Sequence, residues 1–140
     1  MSKPQLLLQW LPLLLFADLF HFSHGDVGTA SHYDAPYLPT ACNGNDGSNF
    51  PTDNLFASTS EGIWDNGASC GRLYLVRCLS AVAPRTCIPG RTIQVMIVDR
   101  TLTLVSRPSK DLTTLVLSTT AFAKIANPSA GSINIEFTQV

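Results

Sequence analysis

The sequence predicts a small all-β barrel with one or two short helices. Three observations carry that expectation. Two segments late in the chain, RTIQVMIVD and SINIEFTQV, have strand-like patterning. RLYLVRC, TTLVLS and GTASHY are further short strand candidates, whereas only STTAFAKIA reads as a helix. All four cysteines, Cys42, Cys70, Cys78 and Cys87, fall in the segment after the first 25 residues, which suits a small exported domain.

Residues 1–25 read as a secretory signal. Lys3 supplies a positive start, LLLQWLPLLLFADLF an apolar stretch, and Ser23 and Gly25 the small residues before a cut ahead of Asp26. Gln9, Pro12 and Asp18 interrupt the stretch, which argues against a retained membrane anchor. Residues 26–140 then form one domain. GTASHY supplies the first strand, and NGNDGSN marks a turn-rich loop between Cys42 and Phe50. RTIQVMIVD sets Ile93, Val95 and Ile97 against Gln94, Met96 and Val98, so it has apolar residues on both faces, as a buried strand does. Ser118 caps the helix, and Pro128 and Gly131 mark the turn beyond it. SINIEFTQV alternates more cleanly: Ile133, Ile135 and Phe137 oppose Asn134, Glu136 and Thr138.

A net charge of −1 argues against nucleic acid as the main partner. The charges are sorted along the mature chain. Asp26, Asp34, Asp46, Asp53, Glu61 and Asp65 precede Cys70 without a basic residue among them. Eight basic residues from Arg72 onward meet only Asp99, Asp111 and Glu136. Two charged poles result if the halves separate in space, and a mixed surface results if their strands interleave. An even cysteine count in an exported chain indicates disulfides, and spacing alone leaves three pairings open. With no C-x-x-C pair and His32 as the one histidine after cleavage, no metal is expected, and without a glycine-rich phosphate loop no cofactor is expected either.

GTASHYDAPYLPTAC, IWDNGASCGRLYLVRC, VDR and LSTTAFAKIANPSAGSINIEFTQV together resemble the plant natriuretic peptide family. These are small secreted proteins related to the first domain of expansins and to family-45 endoglucanases. The resemblance covers nearly all of residues 26–140 and implies a six-stranded double-psi β-barrel. It also implies the pairings Cys42–Cys70 and Cys78–Cys87. Relatives usually carry a third bridge, whose places are taken here by Thr101 and the region of Lys110.

Glycoside hydrolysis of the usual kind needs two carboxyl groups. In the endoglucanases and expansins that the chain resembles, an aspartate stands before the Leu-Ser of the helix cap. Here that place holds Val116, which transfers no proton. Asp99 matches an aspartate of the Val-Asp motif and has two readings: a groove carboxylate, or an acceptor for backbone N–H groups at a strand end. The second is favoured. Ser31, Tyr33, Asp34, Tyr37 and Asp99 are the candidate lining of a shallow polar-aromatic groove. His32 is expected to face solvent without a partner, and Trp64 to be a packing anchor. Tyr37, Phe50 and Trp64 are candidate anchors for a protein partner wherever they are exposed.

No catalytic residue is assigned. The resemblance implies an extracellular, non-catalytic signalling or stress protein, located in the apoplast or cell wall, that affects water and ion homeostasis through a plasma-membrane receptor. The alternative is an expansin-like protein that binds or loosens cell-wall polysaccharide.

Overall fold

The computed structural model describes residues 25–101 and 113–140. The expected signal segment (residues 1–24 of it) and the Lys110 region lie outside the described residues. Six strands form a closed barrel: β1 (Asp26–Tyr33), β2 (Phe56–Thr59), β3 (Leu73–Ser80), β4 (Thr92–Arg100), β5 (Leu115–Ser118) and β6 (Ile133–Gln139). Among the described residues, two short α-helices, α1 (Glu61–Trp64) and α2 (Thr119–Ile125), accompany the strands. Around the barrel the order is β1-β5-β2-β4-β3-β6. The β1/β5 and β2/β4 pairs are parallel, and the other four are antiparallel.

Five of these strands match segments that the sequence marks as extended. β6 buries Ile133, Ile135 and Phe137 and turns Asn134 and Thr138 outward, as its alternation predicts. β2 was missed. FAST has four residues and no alternation, because the barrel encloses both of its faces and all four are buried. α1 is equally short and was missed too. It runs into a tight turn where Asp65, Asn66 and Gly67 all take left-handed φ values of 56°, 52° and 91°. Short polar residues and glycine accept that conformation at least cost.

The core has two parts. The barrel interior holds Ala57, Val76, Val95, Ile97, Leu115, Leu117 and Ile135, closed on one side by Phe122 and Ile125 of α2. A smaller cluster of Tyr33, Phe56, Val98 and Val116 lies on the other face of the β1, β5, β2 and β4 wall, under Tyr37 and Phe50. Ser118 caps α2 as expected: its Oγ accepts from the Ala121 N–H at 3.1 Å and donates to the Asn54 carbonyl at 2.6 Å.

Two disulfides pin the loops. Cys42–Cys70 ties the long β1–β2 connection to the turn before β3, and Cys78–Cys87 closes the end of β3 onto the β3–β4 loop. Thr101, at one place of the missing third bridge, is buried and donates its N–H to the Thr59 carbonyl at 2.9 Å. The charge halves interleave at their contacts. Arg72 pairs with Asp65 at 2.9 Å and Arg100 with Glu61 at 2.6 Å, each joining the basic half to the acidic one.

Candidate functional site

Strand register builds the site. Ser31 of β1 stands opposite Val116 of β5, Val116 opposite Ser58 of β2, and Ser58 opposite Asp99 of β4. These four form one row across the barrel wall. A bulge after Ala57, where the β2–β4 register skips Val98, places Asp99 in that row. Neighbouring strands lie about 4.8 Å apart, so position 116 is roughly 10 Å from Asp99. A carboxyl at 116 would face Asp99 across Ser58 at a separation near that of an acid–base pair with a water between them. Val116 occupies the place and is fully buried among Tyr33, Phe56 and Val98.

Asp99 is itself fully buried. Its Oδ1 accepts from the Ala41 N–H at 2.8 Å and from the Arg100 N–H at 2.9 Å, while Oδ2 is buried without a partner among the described residues. Burial pushes the carboxyl up to about 6, against the lowering pull of the two N–H groups and the Arg100 charge. The two N–H bonds are the backbone-acceptor role that the sequence favours for Asp99. A raised carboxyl is also what an acid catalyst carries, but the row supplies it with no second carboxyl. Tyr33 donates no proton readily either. Burial raises its phenol far above the ordinary value, and the charge of Asp99 adds to this, although the bond from Ser58 Oγ at 3.3 Å opposes it.

Aromatic rings cover the row. Tyr37 meets Phe56 edge-on at 4.7 Å and Tyr33 at 5.1 Å, and Phe50 lies 4.8 Å from Phe56. Rings at these distances and tilts attract through their quadrupoles as well as by area burial.

Comparison with known proteins places this arrangement. A double-psi β-barrel family model described as lytic transglycolase matches residues 57–137. An EG45-like domain containing protein of Citrus jambhiri is 40% identical over 121 residues, covering 84% of this chain and 83% of the relative. A putative EG45-like domain containing protein 1 of Arabidopsis thaliana is 37% identical over 123 residues, covering 85% and 87%.

The chain belongs to the expansin-like EG45-like domain family.

Among solved structures, the EG45-like barrel superposes on the apo expansin of Clavibacter michiganensis with a TM-score of 0.59 at 22% identity, over 81% of this chain. A point mutant of that expansin in complex with cellohexaose gives the same TM-score at 24% identity. The chain spans about half the length of these expansins, 49%. Cerato-platanin 3 of M. perniciosa matches with a TM-score of 0.50 at 18% identity, over 82% of this chain and 94% of that one. Likeness at these identities shows the fold.

Within the EG45-like barrel, Ser31, Tyr33, Tyr37 and Asp99 gather around one face. Ser31 is buried, with its Oγ 2.9 Å from Thr113 Oγ1, so the described residues offer Tyr37, half-buried, and Asp34, exposed, at the outer edge. Asp34 turns away toward α2 and accepts from Thr119 Oγ1 at 2.6 Å.

His32 departs from expectation. It is half-buried, its ring packs tilted against Phe122 with centroids 4.4 Å apart, and its two nitrogens lie 3.1 Å from Thr119 Oγ1 and 3.2 Å from the Ala130 carbonyl. The parallel β1/β5 pairing brings α2 beside the end of β1, and no pattern within GTASHY announces that neighbour. Trp64 is buried under the Arg100 guanidinium, 5.5 Å from its ring, so it packs and is not an exposed anchor.

Sequence reasoning missed Ser58, Thr113 and Thr119. Ser58 sits in the unrecognised strand. Thr119 follows the Ser118 cap as the first residue of α2. A cavity of about 370 Å³ does open near the other end of β1, lined by Asp26, Glu61, Asp65, Arg72 and Tyr74. Two of its three carboxylates are already paired with Arg72 and Arg100.

Proposed function

We propose that the chain is exported after removal of residues 1–25 and that residues 26–140 act outside the cell as a non-catalytic signalling or stress protein. In this reading it affects water and ion homeostasis through a cell-surface receptor. The observation that carries the non-catalytic part is Val116, fully buried in the register position between Ser31 and Ser58 where an acid–base pair with Asp99 would need a carboxyl. The receptor part is supported by the resemblance to the natriuretic peptides. It is also supported by the long β1–β2 connection, pinned by Cys42–Cys70 and rich in exposed residues, since loops on a rigid barrel carry recognition.

Oxidised mature protein at nanomolar concentration should change protoplast volume or stomatal aperture and release no reducing sugar from cellulose. An inert protein with both disulfides formed sinks the signalling reading, and sugar release sinks the non-catalytic one.

A second reading, wall-polysaccharide binding, is favoured by Asp34 and Tyr37 at the accessible edge of the aromatic face. The cellohexaose complex of the expansin neighbour supports it. Retention on cellulose that Tyr37→Ala abolishes would make this the primary activity. Absence of retention leaves the receptor reading in place. Asp99→Ala is a poor probe for this purpose, because it also strips Ala41 and Arg100 of their acceptor.

A further inference from the structure

Three cations are left over at one pole of the barrel. Of the described basic residues, Arg72 pairs with Asp65, Arg77 with Glu136 and Arg100 with Glu61. Arg85, Arg91 and Lys124 are exposed and have no carboxylate partner among the described residues. Backbone bonds bring their segments together. The Ile88 N–H donates to the Ile125 carbonyl at 2.8 Å, and the Asn127 N–H to the Thr86 carbonyl at 2.8 Å. The β3–β4 loop, with Arg85 and Arg91, therefore lies along the end of α2, with Lys124 in its last turn. No acid occurs in residues 79–98 or 113–135. Glu136 of β6 is taken by Arg77, and Asp34 bonds Thr119 at the opposite end of α2.

A cleft of about 290 Å³ opens beside these cations. Ala81, Val82 and Ala83 of the β3–β4 loop line one side, and Ala130, Gly131 and Ser132 of the α2–β6 turn line the other. Small-molecule pockets run from roughly 300 to 1,000 Å³, so this one is sized for a single side chain. Its lining carries no charge. Val82 is wholly exposed, at 106%, and Leu79, three residues before it, is 39% exposed. Both sides are pinned. Cys78–Cys87 closes the loop, and Thr86 Oγ1 donates to the Ala83 carbonyl at 2.9 Å. The Ala130 N–H donates to the Asn127 carbonyl at 3.1 Å, and Asn134 Nδ2 donates to Ser80 Oγ at 2.9 Å, joining the two sides. A cleft held open in this way binds with little ordering cost.

We propose that this pole docks an acidic protein segment, which inserts one large apolar side chain into the cleft and sets its carboxylates against Arg85, Arg91 and Lys124. An apolar centre within an arginine-bearing rim is the usual composition of a protein interface, and the unpaired cations choose the sign of the partner. The cleft chooses a protein among anions. A polyuronide has carboxylates but no apolar side chain to insert, and a lipid surface covers what protrudes without filling a hollow. The surface is separate from the β1–β2 connection, so the proposal goes beyond the receptor reading and fails or stands independently of it.

The test is NMR titration of the oxidised protein with a synthetic glutamate-rich peptide carrying one central tryptophan. Amides of Ala81, Val82, Ala83, Ala130 and Gly131 should shift together, and added salt should weaken the binding. Exposed ion pairs contribute a few-fold each, so reversing all three cations (Arg85→Glu, Arg91→Glu, Lys124→Glu) should weaken it about ten-fold or more. Val82→Ser, and a peptide with glycine in place of the tryptophan, should each weaken it several-fold. All four positions are exposed, and unchanged β6 amide shifts report that each variant is folded. No shift at the cleft amides with about millimolar peptide overturns the proposal, as does an affinity that the charge reversal leaves unchanged. Polygalacturonate or phosphatidylserine vesicles bound more tightly than the peptide, through the same three cations and without dependence on Val82, overturn the choice of a protein partner.

Discussion

Replacing Asp99 with asparagine should change how stability depends on pH, and the structure says by how much. The carboxyl holds its proton up to about 6 in the folded chain, against an ordinary value of 3.8. Between those values the native state binds more protons than the unfolded one. Stability therefore falls as pH rises through that window and levels off above it. At about 1.4 kcal/mol per pH unit the gap corresponds to about 3 kcal/mol. Part of the unfolded-state titration lies below pH 4, so a loss of about 1 to 3 kcal/mol between pH 4 and pH 7 is expected. Asparagine keeps an acceptor for the Ala41 and Arg100 N–H groups and matches the protonated acid in shape and charge. Asp99→Asn should therefore equal the wild type near pH 4 and exceed it by about 1 to 3 kcal/mol near pH 7. Urea unfolding with both disulfides intact, at a series of pH values, measures the difference directly. Two results would refute the reasoning: a variant-minus-wild-type difference that does not move with pH, or a variant weaker at neutral pH.

Three further outcomes are expected. Replacing Cys42 and Cys70 with alanine should cost about 3.5 kcal/mol and replacing Cys78 and Cys87 about 2.5 kcal/mol on the chain-entropy relation, because the bridges span 28 and 9 residues. Denaturant unfolding of the two double variants tests the order, and a larger loss from the shorter loop would contradict it. Ser118→Ala removes both the cap on Ala121 and the donor to Asn54, and should lower stability by about 1 to 2 kcal/mol in the same assay. Val116→Asp places an unpaired carboxyl in an apolar cluster, with a cost of about 3 kcal/mol or more at neutral pH that eases as the group is protonated. Thermal melts at two pH values check it. A variant as stable as wild type at neutral pH would mean that position 116 is wetter than its burial implies.

Legibility followed the range of the interactions involved. The cap at Ser118 and the alternation of β6 are written within a few neighbouring residues, and both were readable. The same holds for the two-faced apolar character of β4. Val116 was readable only against a family pattern, and its meaning waited on strand register. β2 carried no local signal, because a four-residue strand enclosed on both faces has neither a polar stripe nor length to show. His32 failed for the opposite reason. The helix that covers it begins 87 residues further on and arrives through the β1/β5 pairing.

By itself, then, the sequence determined the class of the fold, five of its strands, the α2 helix with its cap, and the absence of an acid at position 116. Those features depend on side-chain period, capping chemistry and residue identity, all of which are local. Only the tertiary structure decided that Ser31, Val116, Ser58 and Asp99 form one row, that Tyr37 and Phe50 cover it, and that Thr119 links His32 to Asp34. Each of those is a contact between segments far apart in the chain. A closed barrel with two parallel pairings chooses such neighbours by strand order and register, which no single stretch of residues encodes.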